Sequence, residues 1–367
     1  MNNKKIGILT WHYYSNFGSA LQAYALQTSI ASLGYHVSIV NYRDPKFGII
    51  YSPKEYIKSL IKCVILKLPF PFARIDGRYE FETRYLKCGK IVQNESELSL
   101  STIDYDIIVC GSDQIWAPNC YNPVYFATFA NKNIRKVSYA ASIGLNNIPK
   151  ELIPIYKKNL SDFFAIGIRE EEGKKLLKSC CGIESNVVLD PTLLVRSQDY
   201  ARIEQKVQSM SNGEKYLFVY ILNKNHHYRE RILDYADKNK LKVIGISSCS
   251  EDKNWMYRTF YFSKLGADHF IWLIHHAEAV ITDSYHGTIF SLLFHKDFYT
   301  FVRFSENDPI CQNSRIRQLN TFFNIQNRII GPNDLLDDKM PIDYNNFEIQ
   351  LSILRKQSID FLNSALS

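Results

Sequence analysis

Short apolar runs alternate with segments of helical periodicity along nearly the whole chain, the pattern of parallel sheets flanked by helices and so of an α/β fold. Lys5 to Trp11 predicts a first strand, Ser19 to Leu33 an amphipathic helix closed by Gly34, and His36 to Asn41 a second strand. Asp106 to Cys110, Lys136 to Ala141 and Ala165 to Arg169 read as further buried strands. After Asp190 and Pro191 a second series begins, with strands at Tyr216 to Leu222, Lys242 to Ser247, Ala279 to Asp283 and Phe298 to Val302, and helical stretches such as His226 to Asn239 between them. The count predicts two Rossmann-like halves with parallel sheets, residues 1–195 and 196–340, with the boundary between Leu189 and Glu214 where the polar stretch Gln205 to Glu214 lies. Phe347, Leu351, Leu354, Phe361 and Leu362 recur at helical spacing, so residues 341–367 should form a helix that packs back onto the body.

One insertion stands apart. Tyr56, Ile57, Leu60, Ile61, Val64, Ile65 and Leu68 form an apolar helical face with Lys58, Lys62 and Lys67 interspersed and Arg74 following. Two readings fit: a core-facing helix with a solvated basic side, or a helix lying on anionic lipid. The wider composition narrows the class. With 367 residues, 46% of them hydrophobic, disorder and collagen are excluded as the main architecture. No apolar run approaches the roughly 20 residues that span a bilayer, and the longest mixed run, Cys63 to Phe72, is broken by Lys67, Pro69 and Pro71. The polar residues Met1 to Lys5 followed by Ile6 to Trp11 do not make a signal-peptide core, so a cytoplasmic protein is expected. The eight cysteines are scattered with no Cys-x-x-Cys, which favours buried thiols over zinc or disulfides. The net charge of +7 suits an anionic ligand or surface without requiring nucleic acid.

In such sheets ligands bind beyond the carboxyl ends of strands, and four post-strand segments are unusually polar. The first, His12 to Gln22, offers His12, Tyr13, Asn16, Gly18, Ser19 and Gln22; Gly18 permits tight backbone, and Ser19 is equally readable as a helix cap or a ligand contact. It lacks the spacing of a P-loop. The second is Gly111, Ser112, Asp113 and Gln114, where Asp113 suits a base toward a hydroxyl or a turn cap. The third holds Arg169 beside Glu170 and Glu171, a guanidinium fit for a carboxylate or phosphate in the crevice, or for a local salt bridge. The fourth is Ser284, Tyr285, His286 and Gly287, leading into a helix over Thr288 to Phe294. His286 at that helix N-terminus is the first choice for catalysis. His275 and His276, with Glu278 nearby, fall on a helix where adjacent side chains diverge, so no metal site is expected.

Taken together, Gly7-Ile8-Leu9-Thr10, Asn16 to Tyr24, Gly111 to Trp116, Ser138 to Ser142, Ile168-Arg169-Glu170, Val188 to Leu194 and Thr282 to Gly287 resemble, in order, the polysaccharide pyruvyltransferase family over roughly residues 5–330. The resemblance implies a glycosyltransferase-B-like pair of domains with the site between them. It implies phosphoenolpyruvate as co-substrate, with no other cofactor, and a glycan sugar whose two hydroxyls become a cyclic pyruvate ketal in capsule, exopolysaccharide or cell-wall synthesis. The donor would meet Arg169, Ser284, Tyr285, His286, Gly287 and Arg315, and the acceptor would meet His12, Tyr13, Asn16, Gly18, Ser19, Gln22 and Gly111 to Gln114. His286, Arg169 and Asp113 would serve as acid or phosphate anchor, donor clamp and base. Some members carry Arg-Leu-His where this chain has Ser284-Tyr285-His286, so either Arg303, Arg315 or Arg317 replaces the missing charge or the donor differs. A polyprenyl-diphosphate-linked acceptor would suit the Tyr56 to Arg74 helix and a peripheral place on the inner membrane face. The rival expectations are a nucleotide-sugar glycosyltransferase and a non-catalytic glycan-binding relative.

Overall fold

The computed structural model describes residues 4–13, 16–45, 76–211, 213–222, 228–247, 254–260, 265–305, 308, 311–331, 334–336 and 340–367. The basic apolar segment from Tyr56 to Arg74 lies outside them. The first half builds a parallel six-stranded sheet from β1 (Lys5–Leu9), β2 (His36–Ile39), β3 (Ile107–Cys110), β4 (Arg135–Ala141), β5 (Ala165–Ile168) and β6 (Asn186–Val187), in the order β2-β1-β3-β4-β5-β6. The second half repeats the plan with β7 (Tyr216–Ile221), β8 (Lys242–Ser247), β9 (Arg258–Phe260), β10 (Ala279–Thr282), β11 (Asp297–Phe301) and β12 (Ile329–Ile330), ordered β12-β11-β10-β7-β8-β9. Every residue of β3, β7 and β10 is buried, because helices cover both faces of a parallel sheet and leave no room for alternation.

Each strand order reverses once. In the first sheet the reversal falls between β1 and β3, where Leu9 pairs with Cys110; in the second it falls between β7 and β10, where Tyr220 pairs with Thr282. At such switch points the loops leaving neighbouring strands run to opposite faces and open a crevice at the strand ends.

The two halves share one continuous apolar core. Helix Phe17–Ser32 seats its first residue in the second half, with Phe17 stacked on Phe270 at 5.1 Å between ring centroids and 6.1 Å from Tyr220. The last helix, Tyr344–Leu366, returns to the first half as its periodicity predicts: Phe361 lies 6.4 Å from the Tyr139 ring, and the Leu189 N–H donates to Ser358 Oγ at 3.0 Å. Among the described residues no helix is long and apolar enough to cross a membrane.

Candidate active site

A cleft opens between the two switch points. Trp11, Asn16, Asp113 and Gln114 line it from the ends of β1 and β3; Leu222, Asp283, Ser284, Tyr285 and His286 line it from the ends of β7 and β10. Both flanking helices start earlier than the apolar periodicity suggests, because short polar side chains cap them. Asn16 Oδ1 accepts from the Gly18 N–H at 2.9 Å, and Ser284 Oγ accepts from the Gly287 N–H at 3.3 Å, so the second helix runs Tyr285–Leu293 rather than from Thr288. Ser19 is therefore not a cap. Two helix N-termini, each with partial positive charge, meet at the cleft. Arg303 and Arg315 add full charges to the same wall, whereas Arg317 faces Glu172 at 3.7 Å, outside it.

Three consecutive residues tie the halves together at this point. Phe17 anchors against Phe270 of the second half, Gly18 lies against the His286 ring, and Ser19 Oγ donates to Asp113 Oδ2 at 2.5 Å. A Cβ on Gly18 would stand 2.0 Å from His286 Nδ1, so only glycine lets the imidazole occupy its place. Asp113 sits at φ 70°, which turns its side chain out of the strand direction, and the Gln114 N–H donates to its other oxygen, Oδ1, at 2.9 Å. The carboxylate on one wall and the imidazole on the other are thus both positioned by the first turn of one helix.

Arg169 departs from the sequence expectation. It is 1% exposed and lies beneath the cleft instead of in its wall. Its Nη1 donates to Asp190 Oδ2 at 2.9 Å, Asp113 Oδ1 and Glu170 Oε2 stand 3.8 and 3.9 Å from its other nitrogens, and its guanidinium lies over the Tyr285 ring at 4.8 Å. A strand-end arginine next to three carboxylates is drawn inward by them. Asp190, whose Oδ1 accepts from the Thr192 amide and hydroxyl, also faces His286 Nε2 at 3.6 Å. Burial alone would raise the Asp190 carboxyl, but His286, Arg169 and Thr192 together hold it well below the ordinary carboxylate range.

A carboxyl depressed in the folded state stabilises the fold fully above its unfolded value, about 3.9, and that contribution is lost as pH falls below it toward the folded value. Asp190→Asn should therefore lower Tm at pH 7, because it breaks a buried pair, at a cost of about 3 kcal/mol or more. Its Tm should also decline less steeply than wild type below about pH 4. Parallel acid limbs in the two proteins would contradict the ion-pair assignment.

Several expected acceptor contacts are instead built into the scaffold. Gln22 is fully buried: its Oε1 accepts from the Ser112 N–H at 3.1 Å, and its Nε2 donates to the Trp11 and Ser19 carbonyls at 2.8 Å, fastening β1 to the loop after β3. His12 is buried between the Thr10 carbonyl and Asn41 Oδ1, both at 3.1 Å. Tyr13 accepts from the Asp44 N–H at 2.6 Å. Gly111, at φ 122°, passes so close to β4 that a Cβ would lie 2.2 Å from the Tyr139 carbonyl, and Ser112 Oγ donates to the Ala140 carbonyl. Gly287 is buried against Thr282. Short polar residues after a strand fit either role, and only packing separates them. His275 and His276 end helix Ala267–His275 and both meet Glu204, at 2.8 and 3.0 Å, rather than Glu278.

Two further residues shape the cleft. Trp11 closes the strand prediction yet lines the cleft, and Asp283 Oδ2 lies 3.6 Å from Arg303 Nε. Arg315 Nη2 donates to Gln312 Oε1 at 2.7 Å, but Arg315 Nε and Gln114 Nε2 are buried without a hydrogen-bond acceptor among the described residues. Burial and the like charge of Arg169 push the Arg315 guanidinium down to about 10, so it stays charged at neutral pH but is under-compensated.

Among solved structures, a Listeria monocytogenes protein described as a UDP-N-acetylglucosamine 2-epimerase matches with a TM-score of 0.51 at 9% identity, over 99% of this chain and 91% of that one. UDP-N-acetylglucosamine 2-epimerase from Neisseria meningitidis matches at 0.49 and 10% identity, over 98% and 93%. The E. coli heptosyltransferase WaaC matches at 0.40 and 9% identity, over 88% and 99%. The likeness to the Listeria protein is one of fold, and with the two parallel sheets it gives the glycosyltransferase-B-like α/β arrangement. No curated protein matches the sequence. The family model for polysaccharide pyruvyl transferase matches residues 16–303, from the capping Asn16 to Arg303 of the cleft, and the chain therefore belongs to the polysaccharide pyruvyl transferase family.

Proposed function

We propose that the cleft binds phosphoenolpyruvate and transfers its pyruvyl group to two hydroxyls of one glycan sugar, releasing inorganic phosphate and leaving a cyclic ketal, in the assembly of a capsular, exocellular or cell-wall polysaccharide. The observation that carries this reading is the convergence of two capped helix N-termini, Arg303 and Arg315 on a cleft that also holds Asp113 and His286. Phosphoenolpyruvate presents a carboxylate and a phosphate, and both are anions suited to helix N-termini and guanidinium groups. The acceptor-less N–H groups of Arg315 and Gln114 suit a ligand that brings oxygens.

The chemistry needs no electron transfer. His286 delivers a proton to the enol methylene, which becomes a methyl group, while a sugar hydroxyl bonds to the adjacent carbon and passes its proton to Asp113. The carbon–oxygen bond to phosphate then breaks, with Arg315 and the helix N-termini stabilising the departing anion. The second hydroxyl closes the ring and its proton leaves with the phosphate. Arg169 acts as a positioning residue, through Asp190 on His286 and directly beside Asp113 and Tyr285.

Incubation with phosphoenolpyruvate and a bacterial glycan should release phosphate in step with the appearance of a ketal methyl signal by NMR. Phosphate release without ketal, or stabilisation by a sugar nucleotide with none by phosphoenolpyruvate, would contradict the proposal.

A further inference from the structure

A second hollow adjoins the cleft and shares Trp11 and Asn16 with it. Its chemistry is the opposite. Among the described residues that line it there is no lysine or arginine, and its charged group is the Asp44 carboxylate, which accepts from Asn122 Nδ2 at 2.6 Å. Trp11 and Tyr125, ring edge against ring face at 6.3 Å, supply a broad aromatic wall, and Ser19 contributes a hydroxyl. A hollow with mostly apolar walls and a few convergent polar groups is the ordinary form of a small-molecule site. Among the described residues of the lining, an anion meets no cationic side chain. A pyranose does fit: its C–H face can rest on an aromatic ring while a carboxylate and an amide take its hydroxyls.

We infer that this hollow is the acceptor subsite and holds a neutral pyranose of the glycan between the Trp11–Tyr125 wall and the Asp44–Asn122 pair. The inference rests on the pyruvyl-transfer reading and adds to it the place and chemical class of the acceptor. It also explains the position of Ser19. This hydroxyl lines the hollow and donates to Asp113, so an acceptor hydroxyl at the shared edge can lose its proton to Asp113 directly or through Ser19 Oγ. Neutral diol and anionic donor thus occupy adjoining compartments of opposite character and meet where Trp11 and Asn16 border both.

The half-buried Cys120 also lines the hollow and reports on its occupancy without any turnover. Burial raises its thiol, so alkylation by iodoacetamide is followed at alkaline pH by peptide mass spectrometry, with the half-buried Cys180, which does not line the hollow, as internal control. Neutral methyl pyranosides of gluco, galacto and manno configuration are added with and without phosphoenolpyruvate. At least one should slow Cys120, about tenfold when nine in ten sites are filled, and leave Cys180 unchanged. Asp44→Asn and Asn122→Ala should each weaken that protection. Absence of protection by every pyranoside in both conditions, or equal protection in both variants, overturns the subsite. The parent reading is scored separately by thermal shift with phosphoenolpyruvate: stabilisation without Cys120 protection removes the subsite alone, whereas protection without stabilisation keeps the subsite and removes the donor assignment.

Discussion

Replacing His286 by alanine is expected to lower kcat by roughly 10²- to 10⁴-fold, the range lost with a positioned acid or base. Phosphoenolpyruvate affinity should change by less than about tenfold, because the helix N-termini and the arginines carry the anion. The ring packs against Gly18 and stands 3.6 Å from Asp190, so its loss also loosens the junction between the halves. His286→Gln keeps most of the side-chain volume and separates the two effects: it should retain more of the wild-type Tm than the alanine variant while remaining as inactive. Added imidazole should recover part of the alanine variant's activity and none of the glutamine variant's, whose side chain fills the space. Turnover near wild type in either variant would remove His286 from the mechanism.

Gly18→Ala should cost about 10²-fold in kcat although glycine brings no functional group to the reaction. Alanine in place of glycine within a helix ordinarily stabilises by close to 1 kcal/mol. Here the added Cβ falls 2.0 Å from Nδ1 and 2.4 Å from Cγ of His286, atoms at the base of a ring wedged between Gly18 and Asp190, so the imidazole must turn away. The sign of the stability change therefore reverses: overpacking of this kind costs about 1–3 kcal/mol. A displaced acid group loses rate steeply, since a misplacement of about 1 Å is enough for a hundredfold decrease. Gly34→Ala is a suitable contrast, because nothing lies within 4 Å of its Cβ position; its positive φ of 88° costs stability but should leave kcat unchanged. If Gly18→Ala keeps full kcat, the ring does not need the position the structure gives it.

The elements that place these residues were legible in the sequence where the signal is local. β3, β7 and β10 are uninterrupted apolar runs, and the sequence places them within a residue or two of their observed ends. β6, β9 and β12 were not legible, since two or three residues on a sheet edge carry no periodicity. The helix starts shifted because Asn16 and Ser284 cap ahead of the first periodic residue, which a hydrophobic pattern does not register. Within the site, the strand-end rule found Asp113 and His286. It could not tell them from His12, which is equally polar and equally close to a strand end but turned inward. Arg169 shows the limit most clearly: its partners Asp113, Asp190 and Tyr285 are distant in sequence, and only their assembly makes it a buried counter-charge rather than a cleft residue. Arg315, on helix Ser314–Phe323 and far from any predicted strand end, reaches the cleft through tertiary packing alone.

Arg315 also offers the most direct test of the anion site. Buried, pushed down to about 10 and close enough to Arg169 to feel its charge, it is a cation that the unliganded fold holds at a cost. Calorimetric titration of phosphoenolpyruvate into wild type and Arg315→Ala, with Tm measured on the same samples, should show binding weakened by roughly 10- to 100-fold, equivalent to about 1.5–3 kcal/mol for a charged hydrogen bond, while the Tm of the unliganded variant stays level or rises. Equal affinity for phosphoenolpyruvate in the two proteins, or no binding to wild type in the presence of a glycan acceptor, would contradict the assignment of this cleft to the donor.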